Sequence, residues 1–132
     1  MNIGRAAEET GLTVKTIRYY EDIGLVSAKR AANGYRAFGP AEIDRLKLLA
    51  QARLLGFGLE ECRQLLDLNA DPGRASRDVR ALALRNLDTV RDRIAQLQVL
   101  ESQLETLIEQ CHGDDDPECA ILDGLVGAGR TG

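Results

Sequence analysis

A chain of 132 residues with 44% hydrophobic residues has room for one compact domain, or for a small head joined to an extended helix. No apolar run approaches the roughly 18 residues that cross a bilayer, and no basic stretch followed by an apolar one opens the chain, so a soluble, unexported protein without a membrane partner is expected. The formal net charge of -4 hides an asymmetry: residues 1–53 hold nine Lys/Arg against six Asp/Glu, residues 54–132 eight against fifteen, so the basic excess needed to meet a polyanion sits on the first third.

Ile3, Ala6 and Ala7 have helical spacing, and Gly11 stops that first helix after Thr10. Thr13 is the N-cap of a second helix to about Asp22, with Ile17 and Tyr20 facing inward and Lys15, Arg18 and Tyr19 free to project. Two short helices joined by a tight turn make either an ordinary helical hairpin or a helix-turn-helix. After Gly24-Leu25-Val26 the segment 27–38 carries Asn33-Gly34, a hairpin turn signal because both residues tolerate positive φ. The hairpin becomes a small basic wing and favours the helix-turn-helix.

Pro40 suits the first position of a third helix whose Ile43, Leu46, Leu49 and Ala50 line one face, and Gly56 ends it. A fourth helix from about Leu59 to Leu68 offers Cys62, Leu65 and Leu66 as buried positions, before the breaker Asn69–Gly73 closes the head. From Ser76 to Gln110 there is neither glycine nor proline. Alternating steps of four and three pick out Ala83, Leu87, Val90, Ile94, Leu97, Glu101, Leu104, Ile108 and Cys111, a coiled-coil seam with one polar residue. Such a helix extends about 50 Å, beyond what the head covers, so its stripe needs a second subunit. The seam register aims the Cys111 thiol into the dimer contact. The organisation read from this is a head over 1–70, a hinge and coiled-coil helix over 71–110, and a loop, short covering helix and flexible tail over 111–132.

The three cysteines, Cys62, Cys111 and Cys119, lie in a chain without a secretion signal, which argues for reduced thiols over a disulfide framework. Cys62 falls at a core position and reads as a small buried hydrophobe. Cys111 and Cys119 bracket a polar loop and are open to three readings: unrelated buried thiols, a redox pair, or two ligands of one metal ion. Asp116-Pro117 reads as the N-cap and first turn of a short apolar helix, with Cys119 in that first turn, where backbone N–H groups favour a thiolate. Two thiolates without a third suit a monovalent coinage ion, Cu(I) first and Ag(I) or Au(I) by analogy; Zn(II) seeks two more ligands, for which His112 and Asp114 to Asp116 are the available groups. One histidine, no glycine-rich phosphate loop and no carboxylate pair in an apolar pocket speak against an enzyme. The glycine-rich stretch from Gly124 reads as a frayed tail.

Thr10-Gly-Leu-Thr13, Ile17-Arg-Tyr-Tyr-Glu21, Gly24-Leu-Val26, Asn33-Gly-Tyr-Arg36, Gln51-Ala-Arg53 with Gly56-Phe57, and Cys111-His-Gly-Asp-Asp-Asp-Pro-Glu-Cys119 together resemble the MerR family of metal-responsive transcription regulators, in its copper-responsive CueR/HmrR-like branch. The resemblance covers nearly the whole chain. It implies a mainly α fold and a cytoplasmic homodimer, with an antiparallel coiled coil and a winged helix-turn-helix head on promoter DNA shared with RNA polymerase. It assigns Lys15, Arg18 and Tyr19 to the recognition helix, Tyr35 and Arg36 to the wing, and Arg53 to a phosphate contact. Cys111 and Cys119 become the metal ligands, and Ser76 stands where divalent-metal relatives carry a further thiol. The implied action is activation of copper efflux or detoxification genes by distortion of the promoter when metal binds. Two rivals are a divalent Zn/Cd regulator of the same fold, and a thiol redox sensor or copper buffer that does not touch DNA.

Overall fold

The computed structural model describes residues 1–30, 34, 36–115 and 117–130, the side chains of 30, 36 and 128–130 excepted. Among the described residues, six helices and one two-stranded hairpin follow in the order α1 (Ile3–Thr10), α2 (Val14–Asp22), β1 (Lys29–Arg30), β2 (Arg36–Ala37), α3 (Pro40–Leu54), α4 (Leu59–Ala70), α5 (Ser76–Gln110) and α6 (Ala120–Arg130). The contacts divide the chain into two compact units, Met1–Asn86 and Leu87–Gly132. The first unit runs past residue 70, where the sequence placed the end of the head. Leu82 on α5 is buried in its core, and Asn86 Nδ2 donates to the Leu55 carbonyl at 2.9 Å.

Local chemistry starts and stops the head helices as the sequence indicates. Asn2 and Thr13 cap α1 and α2 by accepting from the backbone N–H of Arg5 and Thr16, which satisfies donors that a helix start leaves open. Gly11 ends α1 in the left-handed region at φ +74°, where a Cβ is disfavoured. Pro40 opens α3, and Glu42 folds back so that its Oε2 accepts from Gly39 N–H at 3.0 Å. α4 continues to Ala70, two residues beyond the sequence expectation, because Asn69 and Ala70 complete a last turn before Pro72 forbids another.

Ala6, Ile17, Tyr20, Leu25, Val26, Phe38, Ile43, Leu46, Leu49, Phe57, Cys62 and Leu66 form a continuous core. One face from each of α1 to α4 and the segments flanking the hairpin supply it. β1 and β2 pair antiparallel, Lys29 with Ala37 and Arg30 with Arg36. Phe38 fastens the hairpin base: its N–H donates to the Met1 carbonyl at 2.7 Å, and the Met1 ammonium donates to the Phe38 carbonyl at 2.8 Å. Gly34 has φ +83°, as the turn reading requires; Asn33 and Tyr35 lie outside the described residues.

In the second unit, α5 carries the expected stripe, and Leu87, Ile94, Leu97, Leu104 and Ile108 are all exposed in the single chain. The stretch from Gly124 is no frayed tail as far as Arg130, because it belongs to α6. At Gly124 that helix lies close against α5: a Cβ there would lie 3.0 Å from Leu107 Cδ2. The absent side chain permits the approach and offsets glycine's poor helix propensity, about 1 kcal/mol against alanine. Among the described residues no helix is long and apolar enough to cross a membrane.

Candidate functional site

Two sets of side chains are candidates for function, one in each unit. In the head, Ile17 and Tyr20 on α2 are buried, which turns Lys15, Arg18 and Tyr19 to the exposed side of the same helix. That division follows from 3.6-residue periodicity with two inward anchors three residues apart. The backbone of Arg36 lies in β2, while its side chain and the whole of Tyr35 lie outside what is described. Arg53, in the last turn of α3, is exposed, and its Nη1 donates to the Phe57 carbonyl at 3.0 Å.

Sequence reading passed over two further arginines. Arg45 Nη2 donates to the Leu25 carbonyl at 3.0 Å, and Arg63 Nη2 to the Ile23 carbonyl at 2.9 Å. The partners are separated by 20 and 40 residues, so no local spacing could have marked them.

In the second unit Cys111 and Cys119 meet, their sulfurs 3.7 Å apart. Both are free thiols. The seam register aims Cys111 toward a dimer contact; α5 ends at Gln110, one residue before it, and within the single chain its thiol lies beside that of Cys119. Its N–H still closes the last turn onto the carbonyls of Leu107 and Ile108, each at 3.2 Å.

Cys119 is also displaced from its expected place. α6 begins at Ala120, with Pro117 in a bend before it; Asp116 of the proposed cap lies outside the described residues. Cys119 is itself the capping residue, its carbonyl accepting the first helical bond from Asp123 N–H at 3.0 Å. Its sulfur does the work expected of a serine or aspartate there. A hydrogen bond from the Leu122 N–H, then the Cys111 thiol and the Ile121 N–H, hold the Cys119 thiol below its ordinary 9.0, against partial desolvation and the Asp123 charge. Cys62 behaves oppositely, pushed up by burial, with Arg53 opposing and Glu61 reinforcing the rise.

A separation of 3.7 Å exceeds the roughly 2.05 Å of a disulfide and lies within the reach of two thiolates sharing one ion at about 2.3 Å each. The donor set therefore fits a soft metal. Among the described residues no group of three or more His, Cys, Asp or Glu side chains converges to hold one. His112 is exposed, as are Asp114 and Asp115, and Ser76 is exposed as the first residue of α5.

A winged helix-turn-helix head, followed by a long helix with an apolar stripe and a terminal thiol pair, defines a class of DNA-binding regulator. Residues 1–69 match the family model "MerR HTH family regulatory protein", and residues 43–107 match "MerR, DNA binding". The chain is 50% identical to the HTH-type transcriptional regulator HmrR of Rhizobium leguminosarum bv. viciae, over 95% of this chain and 97% of that protein. It is 45% identical to the HTH-type transcriptional regulator CueR of Salmonella typhimurium, over 96% of this chain and 93% of that one. Among solved structures it is similar to the regulator PbrR691 of Ralstonia metallidurans in complex with lead(II), with a TM-score of 0.79, 31% identity, and 95% and 98% of the two chains covered. The chain belongs to the MerR family: it is a DNA-binding, metal-responsive transcription regulator and not an enzyme.

Proposed function

We propose that this chain is a cytoplasmic homodimeric sensor of Cu(I), with Ag(I) and Au(I) as alternates, that activates copper efflux or detoxification genes. The observation that carries this reading is the pair of thiols, 3.7 Å apart, one of them a depressed-pKa helix cap. Cys111 and Cys119 would hold the ion, which would supply a soft Lewis-acidic cation suited to thiolate donors. The N–H groups of Leu122 and Ile121 stabilise the Cys119 thiolate, so less proton release opposes binding than at an ordinary thiol. Ser76 withholds the extra thiol that a divalent ion would use, in accord with the similarity to the regulators HmrR and CueR.

On the DNA side, Lys15, Arg18 and Tyr19 enter the major groove on α2, with Arg18 reaching a base edge. Tyr35 and Arg36 on the wing and Arg53 on α3 hold phosphates, Arg53 by exchanging its Phe57 carbonyl for the backbone. The dimer forms along the α5 seam and acts at a promoter shared with RNA polymerase. Activation requires that the metal-bound dimer fit distorted DNA better than the metal-free one, since a ligand shifts an equilibrium only through differential affinity. Smooth bending of a short site costs on the order of 1–6 kcal/mol, the scale that differential affinity must offset.

The test is a promoter-reporter assay with Cu, Ag, Au, Zn and Cd salts on wild type, Cys119→Ser and Ser76→Cys. Induction by the monovalent ions alone, abolished by Cys119→Ser, is the expected result. Copper induction that survives Cys119→Ser, or induction of wild type by Zn and not by Cu, sinks the reading.

A further inference from the structure

The exit of α2 is built unusually. The helix carries no basic residue in its last turn, although a helix C-terminus is where a cation is most favourable. Gly24, at φ +78°, closes it with two bonds: its own N–H to the Glu21 carbonyl at 3.1 Å, and the Leu25 N–H to the Tyr20 carbonyl at 2.9 Å. This is the paired pattern of a Schellman motif, with Leu25 and Tyr20 both buried beneath it. Those bonds use the carbonyls of Tyr20 and Glu21. The carbonyls of Ile23 and Leu25 are taken from elsewhere, by Arg63 of α4 at 2.9 Å and Arg45 of α3 at 3.0 Å.

We infer that Arg45 and Arg63 are positioning residues for DNA recognition, clamping the exit of α2 so that the recognition helix and the hairpin keep one mutual geometry. α2 ends at Asp22 and β1 begins at Lys29, so the clamped carbonyls lie on the short connection between two DNA-contacting elements. A connection free to flex would let α2 and the hairpin meet the duplex in many relative poses, and base readout demands one. Two guanidinium donors suit the task, because a charged donor makes a hydrogen bond roughly twice as strong as a neutral one. They also arrive from different helices, which resists rotation of the exit in a way that one anchor cannot. Arg63 is further steadied by Glu60 on its own helix, Nε to Oε2 at 3.9 Å.

The rival role for each arginine is a phosphate contact, and Arg63 is accessible enough for it, with 41% of its side chain exposed. Salt dependence separates the two. Each phosphate contact contributes about 0.9 to the slope of log affinity against log salt concentration, whereas an internal clamp contributes nothing. Arg45→Met and Arg63→Met keep much of the apolar stem and remove the donor. The probes are a duplex enriched by the wild-type protein from a random-sequence library and an unselected duplex of equal length.

For each variant the selected duplex is expected to bind about tenfold more weakly, with binding to the unselected duplex and the salt slope unchanged. A slope lowered by about 0.9 with parallel loss on both duplexes makes the arginine a phosphate ligand and overturns the inference. Wild-type affinity for the selected duplex overturns it equally. Circular dichroism and a thermal midpoint accompany each variant, and Arg63→Leu, which also lacks a donor, carries the same test if Arg63→Met fails to fold. The inference rests on the assignment of α2 and the hairpin to DNA, so Arg18→Ala is measured beside it. If Arg18→Ala binds the selected duplex like wild type, that assignment falls; if only Arg18→Ala loses binding, the clamp alone is refuted.

Discussion

Leu97→Ala is the sharpest probe of the second unit. Leu97 lies mid-seam on α5 and 63% of it remains exposed in the single chain, so its truncation removes little that the isolated chain uses. If the seam is the dimer contact, each subunit loses the burial of that remaining two-thirds. Complete burial of a leucine side chain is worth about 1.5–3 kcal/mol, and the substitution occurs twice per dimer, which gives about 2–4 kcal/mol. That corresponds to a dimer dissociation constant raised roughly 30- to 1000-fold. Sedimentation equilibrium over a concentration series measures it directly. Val99→Ala, equally exposed on α5 but off the seam, is the control and should shift the constant far less. Equal effects of the two substitutions, or none from Leu97→Ala, would mean that the apolar stripe is not the interface.

The thiols should alkylate in a set order with iodoacetamide under reducing, metal-free conditions, Cys119 before Cys62, read by peptide mass spectrometry across a pH series. Because the Cys119 value lies below 9.0 in the folded chain, the stability that its charged form lends is fully present above 9.0 and is lost as pH falls through the lowered value. Cys111→Ser replaces a lowering partner and is expected to change the Cys119 profile, while Cys62→Ser should leave it in place. Gly124→Val puts a branched side chain where a Cβ alone would already lie 3.0 Å from Leu107 Cδ2; overpacking of about 1–3 kcal/mol should push α6 off α5 and weaken Ag(I) binding roughly ten- to hundredfold in a competition titration. Unchanged Ag(I) affinity would show that α6 does not position Cys119. Leu46→Ala, at a fully buried position of the head, should lower unfolding free energy by about 2–5 kcal/mol in urea.

The head was legible wherever its signals are local. Thr13 as a cap, Gly11 as a stop, Pro40 as a first-turn residue and the inward pair Ile17 and Tyr20 all act within a few residues, and the structure bears each out. The thiol loop was less legible at the same scale. Periodicity carried the heptad through Cys111, although the helix itself stops at Gln110. Capping chemistry pointed to Asp116-Pro117 as the start of α6, whereas the helix begins at Ala120 with Cys119 before it. Cap identity depends on which side chain reaches the open N–H groups, and composition alone ranks cysteine poorly for that position.

By itself, then, the sequence determined the order of the helices, the inward face of the head helices, the apolar stripe along α5, and the family. Those properties are periodic or local, and each residue encodes them with its near neighbours. Only the tertiary structure decided that Cys111 turns toward Cys119, that Gly124 lets α6 lie against α5, and that Arg45 and Arg63 bond the Leu25 and Ile23 carbonyls at the exit of α2. Each of these depends on atoms brought together from residues 8 to 40 apart along the chain. No spacing rule reaches that far, because the path between such partners is set by the packing of the helices that intervene.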